Sequence, residues 1–135
     1  VSFSNDLQNF NKKTLEVYSK VKRGSSLDLF SAIVLETPVD KGTLRGNWFA
    51  DIGSPNTEIS DAVDESGQIT ISTIKAVLQQ GDMADDVFLT NNLPYATVIE
   101  FDGHSAKAPA GMVRVNTVRW KSIVDTNIRK FANAF

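Results

Sequence analysis

Apolar residues recur at steps of three and four near both ends of the chain and at step two only in short central runs. This pattern predicts helices flanking a small sheet. Phe3, Leu7, Phe10, Thr14, Val17 and Val21 form one stripe, with Asn11, Lys12, Lys13, Glu16 and Lys20 mostly outside it. An amphipathic N-terminal helix is expected, with Ser4 as its N-cap. Gly24, inside the run Lys22 to Ser26, costs a helix about 1 kcal/mol relative to Ala, and Ser25 or Ser26 can cap a new helix, so the spacing predicts a kink or a short break there. A second helical stretch through Leu27, Phe30, Ile33 and Val34 ends at Thr37. There Pro38 removes an amide donor and disfavours α backbone in the residue before it. Asp40-Lys41-Gly42 supplies a turn. Leu44, Trp48, Ala50 and Ile52 then alternate with Arg45, Asn47, Phe49 and Asp51, predicting a strand with Gly46 as a bulge or a point of close approach.

The remaining elements are shorter. Ser54 to Gly67 is polar and acidic and contains Pro and Gly, the marks of a surface loop. Ile71, Ile74 and Leu78 predict a third helix stopped by Gly81, although Ile69 to Thr73 also suits the start of a strand. Asp85 to Thr90 reads as a strand, Pro94 to Phe101 as a helical turn entered by proline at its first position, and the segment after it as a loop. Val113, Thr117, Trp120, Val124, Ile128, Phe131 and Phe135 form the stripe of a C-terminal helix flanked by Arg114, Lys121, Arg129 and Lys130. The fold class is therefore α+β, a small, mainly antiparallel sheet packed with N-terminal and C-terminal helices, in a single domain spanning 1–135.

Composition narrows the function classes. The chain has 135 residues, 41% of them hydrophobic and 22% charged, and its apolar runs fall far short of the roughly twenty residues of a membrane span, so no membrane role is expected. The absence of cysteine removes disulfides, thiol nucleophiles and thiolate metal sites. Val1 begins neither a signal peptide nor a targeting motif, and no export route is inferred. The net charge of −2 conceals an asymmetry: residues 51–102 hold ten acids against Lys75 alone, for −9, whereas residues 1–50 carry +2 and residues 103–135 carry +5. A chain with an acidic middle and basic ends can attract copies of itself or a charged neighbour.

Candidate chemistry is sparse. His104-Ser105 pairs a base with a hydroxyl, but sequence neighbours on a loop rarely face one another and no nucleophile elbow surrounds them. Asp82, Asp85 and Asp86 lack the alternating ligand spacing and central Gly of a calcium loop. Asp61, Asp64 and Glu65 are too local and too exposed for an acid/base pair with opposed environments. Arg114, Arg119, Lys121, Arg129 and Lys130 offer a phosphate-binding face, which makes a small nucleic-acid-binding module the alternative reading, although the overall acidity and the lack of a recognition motif oppose it. No catalytic residue, metal or cofactor is assigned.

Three ordered segments carry more information: Thr37, Pro38, Val39, Asp40, Gly42, Leu44, Arg45 and Trp48; then Asn92, Leu93, Pro94, Tyr95, Ala96 and Glu100; then Pro109, Gly111, Met112 and Val113. Their order and spacing, from about Leu27 to the C-terminus, resemble the tail-completion or head–tail joining proteins of tailed bacteriophages. Phe101-Asp102-Gly103-His104 departs from the pattern, since relatives commonly have an aromatic-Gly pair followed by Ser there. The resemblance implies a tail-terminator-like fold. It also implies a structural, non-enzymatic virion protein at the neck or the head-proximal end of the tail, present in the host cytoplasm during assembly. The expected partners are further copies in a ring, with a hexamer favoured over a dodecamer, a connector, adaptor or stopper protein on one side, and a tail tube or terminator protein on the other. DNA passes through the channel without specific binding.

Within that frame, Asn91 or Asn92 is expected to cap a turn, Tyr95 to pack inward, and Glu100 to pair with Arg45. The Leu93–Pro94 bond is a minor candidate for cis. The loops Ser54 to Gly67 and Asp102 to Ala110 are expected to face partners and to gain order on assembly. A channel that lets DNA slide should be acidic. Its candidate lining is Asp51, Glu58, Asp61, Asp64, Glu65, Asp82, Asp85 and Asp86.

Overall fold

The computed structural model describes residues 2–102 and 105–132. Five helices and two strands follow in the order α1 (Phe3–Glu36), a 3₁₀ turn (Arg45–Asn47), β1 (Phe49–Ile52), α2 (Gln68–Leu78), β2 (Val87–Thr90), α3 (Pro94–Phe101), α4 (Arg114–Thr117) and α5 (Trp120–Phe131). The α+β architecture is as expected. β1 and β2 pair antiparallel, with Phe49 opposite Thr90 and Asp51 opposite Phe88.

The N-terminal helix does not break. α1 runs 34 residues, about 51 Å at 1.5 Å per residue. Its N-cap is Ser2, whose hydroxyl accepts from Asn5 N–H, and not Ser4. Gly24 is there for packing: an added Cβ would overlap Asn127 Oδ1 and lie 3.0 Å from the Phe131 ring on α5. Ser25 and Ser26 are buried on the same helix and cap nothing.

The first strand is shorter than the alternation predicts. Leu44 and Trp48 are both buried, but a four-residue step also fits one turn of helix, and the backbone takes that option through Gly46 N–H to Gly42 O (2.9 Å) and Asn47 N–H to Leu44 O (3.2 Å). Gly46 is a close-approach point, since a Cβ there would lie 2.8 Å from Ala62 O. Ile69 to Thr73 is helix and not strand, and Gly81 follows the end of α2 as expected.

The C-terminal stripe is likewise redrawn. The helix divides at Val118–Arg119, Thr117 and Val118 are exposed, and the buried line is Asn116, Ile123 and Asn127. Asn127 reaches across to Asp28 Oδ2 (2.9 Å) and back to Ile123 O (2.9 Å), so an amide occupies a position that an apolar pattern does not mark. The main core gathers Phe30, Ile33 and Val34 of α1, Leu44, Trp48 and Ala50, Ile74 and Leu78 of α2, and Ala96, Ala108 and Met112. It thus joins the long helix to all three motif segments.

Candidate functional site

The first motif finishes α1. A helix end leaves its last carbonyls without intrahelical partners. Here the Arg45 guanidinium donates to Leu35 O (2.9 Å) and Thr37 O (2.8 Å), a favourable place for a cation at the negative end of the helix, and also to Glu65 O (2.6 Å). Thr37 donates its hydroxyl to Ile33 O (2.7 Å) and accepts from Trp48 Nε1 (2.8 Å), which lets the indole be buried. Pro38 and Asp40 follow at the turn, where Gly42 has φ +92° and a Cβ would meet Glu65 N at 2.8 Å. The expected Glu100–Arg45 pair does not form, because the helix carbonyls claim Arg45.

The second and third motifs close on one carboxylate. Leu93 is extended, as the residue before a proline should be, its bond to Pro94 is trans, and Pro94 opens α3. Asn91 accepts from Leu93 N–H (3.3 Å) and donates to Leu44 O (2.9 Å), tying this corner to the first motif, while Asn92 donates to Asn56 O and Glu58 O (3.0 Å each). Glu100, at 6% exposure, accepts from the backbone N–H groups of Met112 (2.7 Å), Val113 (2.7 Å) and Arg114 (3.1 Å) and from Arg114 Nε (3.0 Å). Arg114 also donates to Glu100 O. Burial raises the Glu100 carboxyl, but these hydrogen bonds outweigh it and hold the group below its ordinary value. Gly111, with φ +89°, places its backbone where a Cβ would lie 2.6 Å from both Glu100 O and Oε2. Pro109 is exposed beside it and Met112 is buried. Tyr95 departs from expectation: it is 44% exposed at the rim of a cleft of about 580 Å³ lined by Pro38, Asp40, Leu44 and Lys107 among others. The α3 face turned inward is that of Ala96 and Glu100, so Tyr95 lies off it.

No family model, curated protein or solved structure matches the chain.

The eight candidate lining acids do not form one set. Asp64 is buried and accepts from Gly67 N–H (3.1 Å) and Thr70 N–H (2.8 Å), which makes it a cap for the start of α2 and removes it from any channel wall. Its carboxyl is raised by burial and lowered by more through the Thr70, Gly67 and Ser66 hydrogen bonds, leaving it below its ordinary value. Asp51 is half-buried on β1. Glu58, Asp61 and Glu65 are exposed on the long loop, the first of them near Asn92 just beyond the Thr90 end of the sheet. Asp82, Asp85 and Asp86 lie beyond the opposite end, where Gly53 N–H donates to Asp86 O and the loop is folded on itself by Asp82 N–H to Asp85 Oδ2 (2.8 Å). Lys22 of α1 holds this second loop by donating to the carbonyls of Asp82, Met83 and Asp85.

The long loop is held to the first motif by hydrogen bonds. Asn47, fully buried, donates to Ser60 O (3.0 Å) and Thr43 O (2.8 Å) and accepts from Ser60 N–H (2.8 Å), while Gly42 O accepts from Asp64 N–H. Side-chain and backbone bonds within the chain thus tie this loop to the first motif. Nothing in residue types alone marks Asn47 or Asp64 as pinning residues, because their backbone partners are 3 to 13 positions away.

The five C-terminal cations are divided between α4, the joint and α5. Arg114 is engaged by Glu100, Arg119 donates to Asn116 Oδ1 (3.1 Å) and Lys121 pairs with Asp125 (3.7 Å). Among the described residues no cluster of three His, Cys, Asp or Glu stands ready to hold a metal ion, and no helix is long and apolar enough to cross a membrane. His104 lies outside the described residues, and Ser105 accepts from Lys107 N–H (3.2 Å).

Two surface features have no counterpart among the sequence expectations. The first half of α1 stands clear of the core: Phe3 is 80% exposed, and Leu7 and Tyr18 are also exposed. Beside it an open apolar cleft of about 520 Å³ runs between α1 and α5, walled by Val17, Val21, Met83, Trp120, Val124 and Ile128.

Proposed function

We propose that the protein is a structural component of the head–tail junction of a tailed bacteriophage, assembling as a homo-oligomeric ring, hexameric in preference to dodecameric, that leaves a channel for DNA. The reading rests on the ordered resemblance of the three motifs, and the use to which the chain puts them supports it. Arg45, Trp48, Asn91, Asn92 and Glu100 direct their polar groups at this chain's own backbone and side chains, the behaviour of residues that fix a shape. The observation that carries assembly is the exposure of Phe3 and Leu7 on the projecting half of α1. A closed ring requires one face to meet a different face on the next copy. A connector or stopper protein on one side and a tail tube or terminator protein on the other complete the proposal. The nucleic-acid-binding alternative finds less support, because the basic residues do not share one helix face.

The test is electron microscopy of the purified protein and of phage particles labelled with an antibody against it. Closed rings with a central channel and label at the head–tail junction are expected. A protein that remains monomeric at every concentration and is absent from particles would overturn the proposal.

A further inference from the structure

We infer that the projecting N-terminal half of α1 is an arm that docks into the α1–α5 cleft of the next copy, head to tail; this inference rests on the ring reading above. The arm presents Phe3 and Leu7 on the stripe that continues into Val17 and Val21 of the cleft. Because α1 is one unbroken helix, the arm of a copy cannot fold back onto that copy's own cleft. Each copy therefore carries an apolar helix end exposed at Phe3 and Leu7 and an open apolar groove.

Dimensions and area agree with that pairing. From Phe3 to Leu15 the arm rises about 18 Å, the same as α5 from Trp120 to Ala132 along the cleft wall. At about 200 Å² for a large side chain, the exposed fractions of Phe3 (80%), Leu7 (47%), Tyr18 (52%), Met83 (45%), Trp120 (41%) and Ile128 (44%) amount to roughly 600 Å² of apolar surface. Summed over arm and groove, that supplies about half the burial of a small specific interface. An amphipathic helix laid in a two-helix groove is a recurrent recognition mode. Here arm and groove are different surfaces of one chain, so the contact is heterologous and propagates until a ring closes.

The chain has no cysteine, so a cross-link experiment reads the contact directly. Leu7→Cys and Ile128→Cys proteins, mixed and oxidised, should give a disulfide-linked pair containing one of each at a yield well above either protein alone. Leu7→Glu and Ile128→Glu should each abolish assembly beyond monomer in sedimentation velocity, with unchanged circular dichroism because both side chains are exposed. Mixed together, these two variants should restore a complex of one of each and nothing larger, since only one intact arm and one intact groove remain. Rings that persist in Leu7→Glu would overturn the arm contact while leaving the ring reading standing. Wild-type protein that stops at a symmetric dimer would overturn the head-to-tail arrangement, and wild-type protein that stays monomeric would overturn both readings.

Discussion

At the scale of single residues, two buried carboxylates should make stability depend on pH in the acid range. Glu100 and Asp64 are both nearly excluded from solvent and both accept several N–H donors, which keeps their folded-state values below the ordinary 4.5 and 3.8. A depressed folded value contributes stability that is complete above the unfolded value and disappears as pH falls through the folded one. Unfolding free energy should therefore hold steady above about pH 5 and decline below about pH 4. Urea titrations across that range check the sign. In Glu100→Gln the decline should be shallower, and at neutral pH the variant should lose about 1 to 3 kcal/mol, since a neutral amide meets three N–H donors and a guanidinium less well. Gly111→Ala tests the same corner from the backbone side. A Cβ at 2.6 Å from Glu100 in a left-handed conformation should cost about 2 kcal/mol or more, measured by thermal melting against Gly53→Ala, where the φ is also positive but the space is open.

At the scale of elements, the joint between α1 and the Gly81 to Asp86 loop is made by two adjacent side chains of α1. Lys22 donates to three carbonyls of that loop and Arg23 donates to a fourth, Gly81 O (2.9 Å). Lys22→Met keeps the aliphatic stem and removes the donors, so amide hydrogen exchange in residues 81–86 should accelerate while that in α1 around Phe30 to Val34 is unchanged. Equal acceleration in both would mean that Lys22 supports the helix as a whole. The elements themselves were largely legible from periodicity: α2, β2 and the proline-led α3 lie where their patterns put them, and Pro38 ends α1's neighbourhood as a sequence stop should. What periodicity missed has one cause. Gly24 and Asn127 meet at the α1–α5 contact, and Asn116 is buried on α4 with its amide donating to Met112 O; a pattern scored on apolar residues reads the glycine as a break and the asparagines as surface. The Glu100 site was half legible: its carboxylate was marked, but its true partner Arg114 is on a short helix whose separation from α5 left no trace in the spacing. Replacing Gly24 with Leu should consequently loosen α5 despite a better helix propensity, lowering the melting temperature by several degrees.

At the scale of the whole molecule, the acids are sorted between the two ends of the sheet, and the sorting separates two roles that the segment's total charge had merged. Asp82, Asp85 and Asp86 flank Met83 at the rim of the α1–α5 cleft, the groove proposed to receive the arm of the next copy. Glu58, Asp61 and Glu65 lie on a loop pinned by Asn47 and Asn92, away from that cleft, and are the exposed acids left to face a channel. If they do, they repel the phosphate backbone and let DNA slide, and the effect should weaken with salt, because screening shortens the reach of the field. The combined variant Glu58→Gln, Asp61→Asn, Glu65→Gln should then assemble normally, since none of the three is buried, and each change should alter stability by no more than about 0.5 kcal/mol. Particles carrying it should release DNA more slowly than wild type at low salt and indistinguishably at high salt. Neutralising Asp82 and Asp86 should do the reverse, weakening assembly without slowing release from the particles that form. Were release to slow only in the second variant, the channel would be lined by the Asp82 to Asp86 loop, and the long loop would take its place on the outer rim.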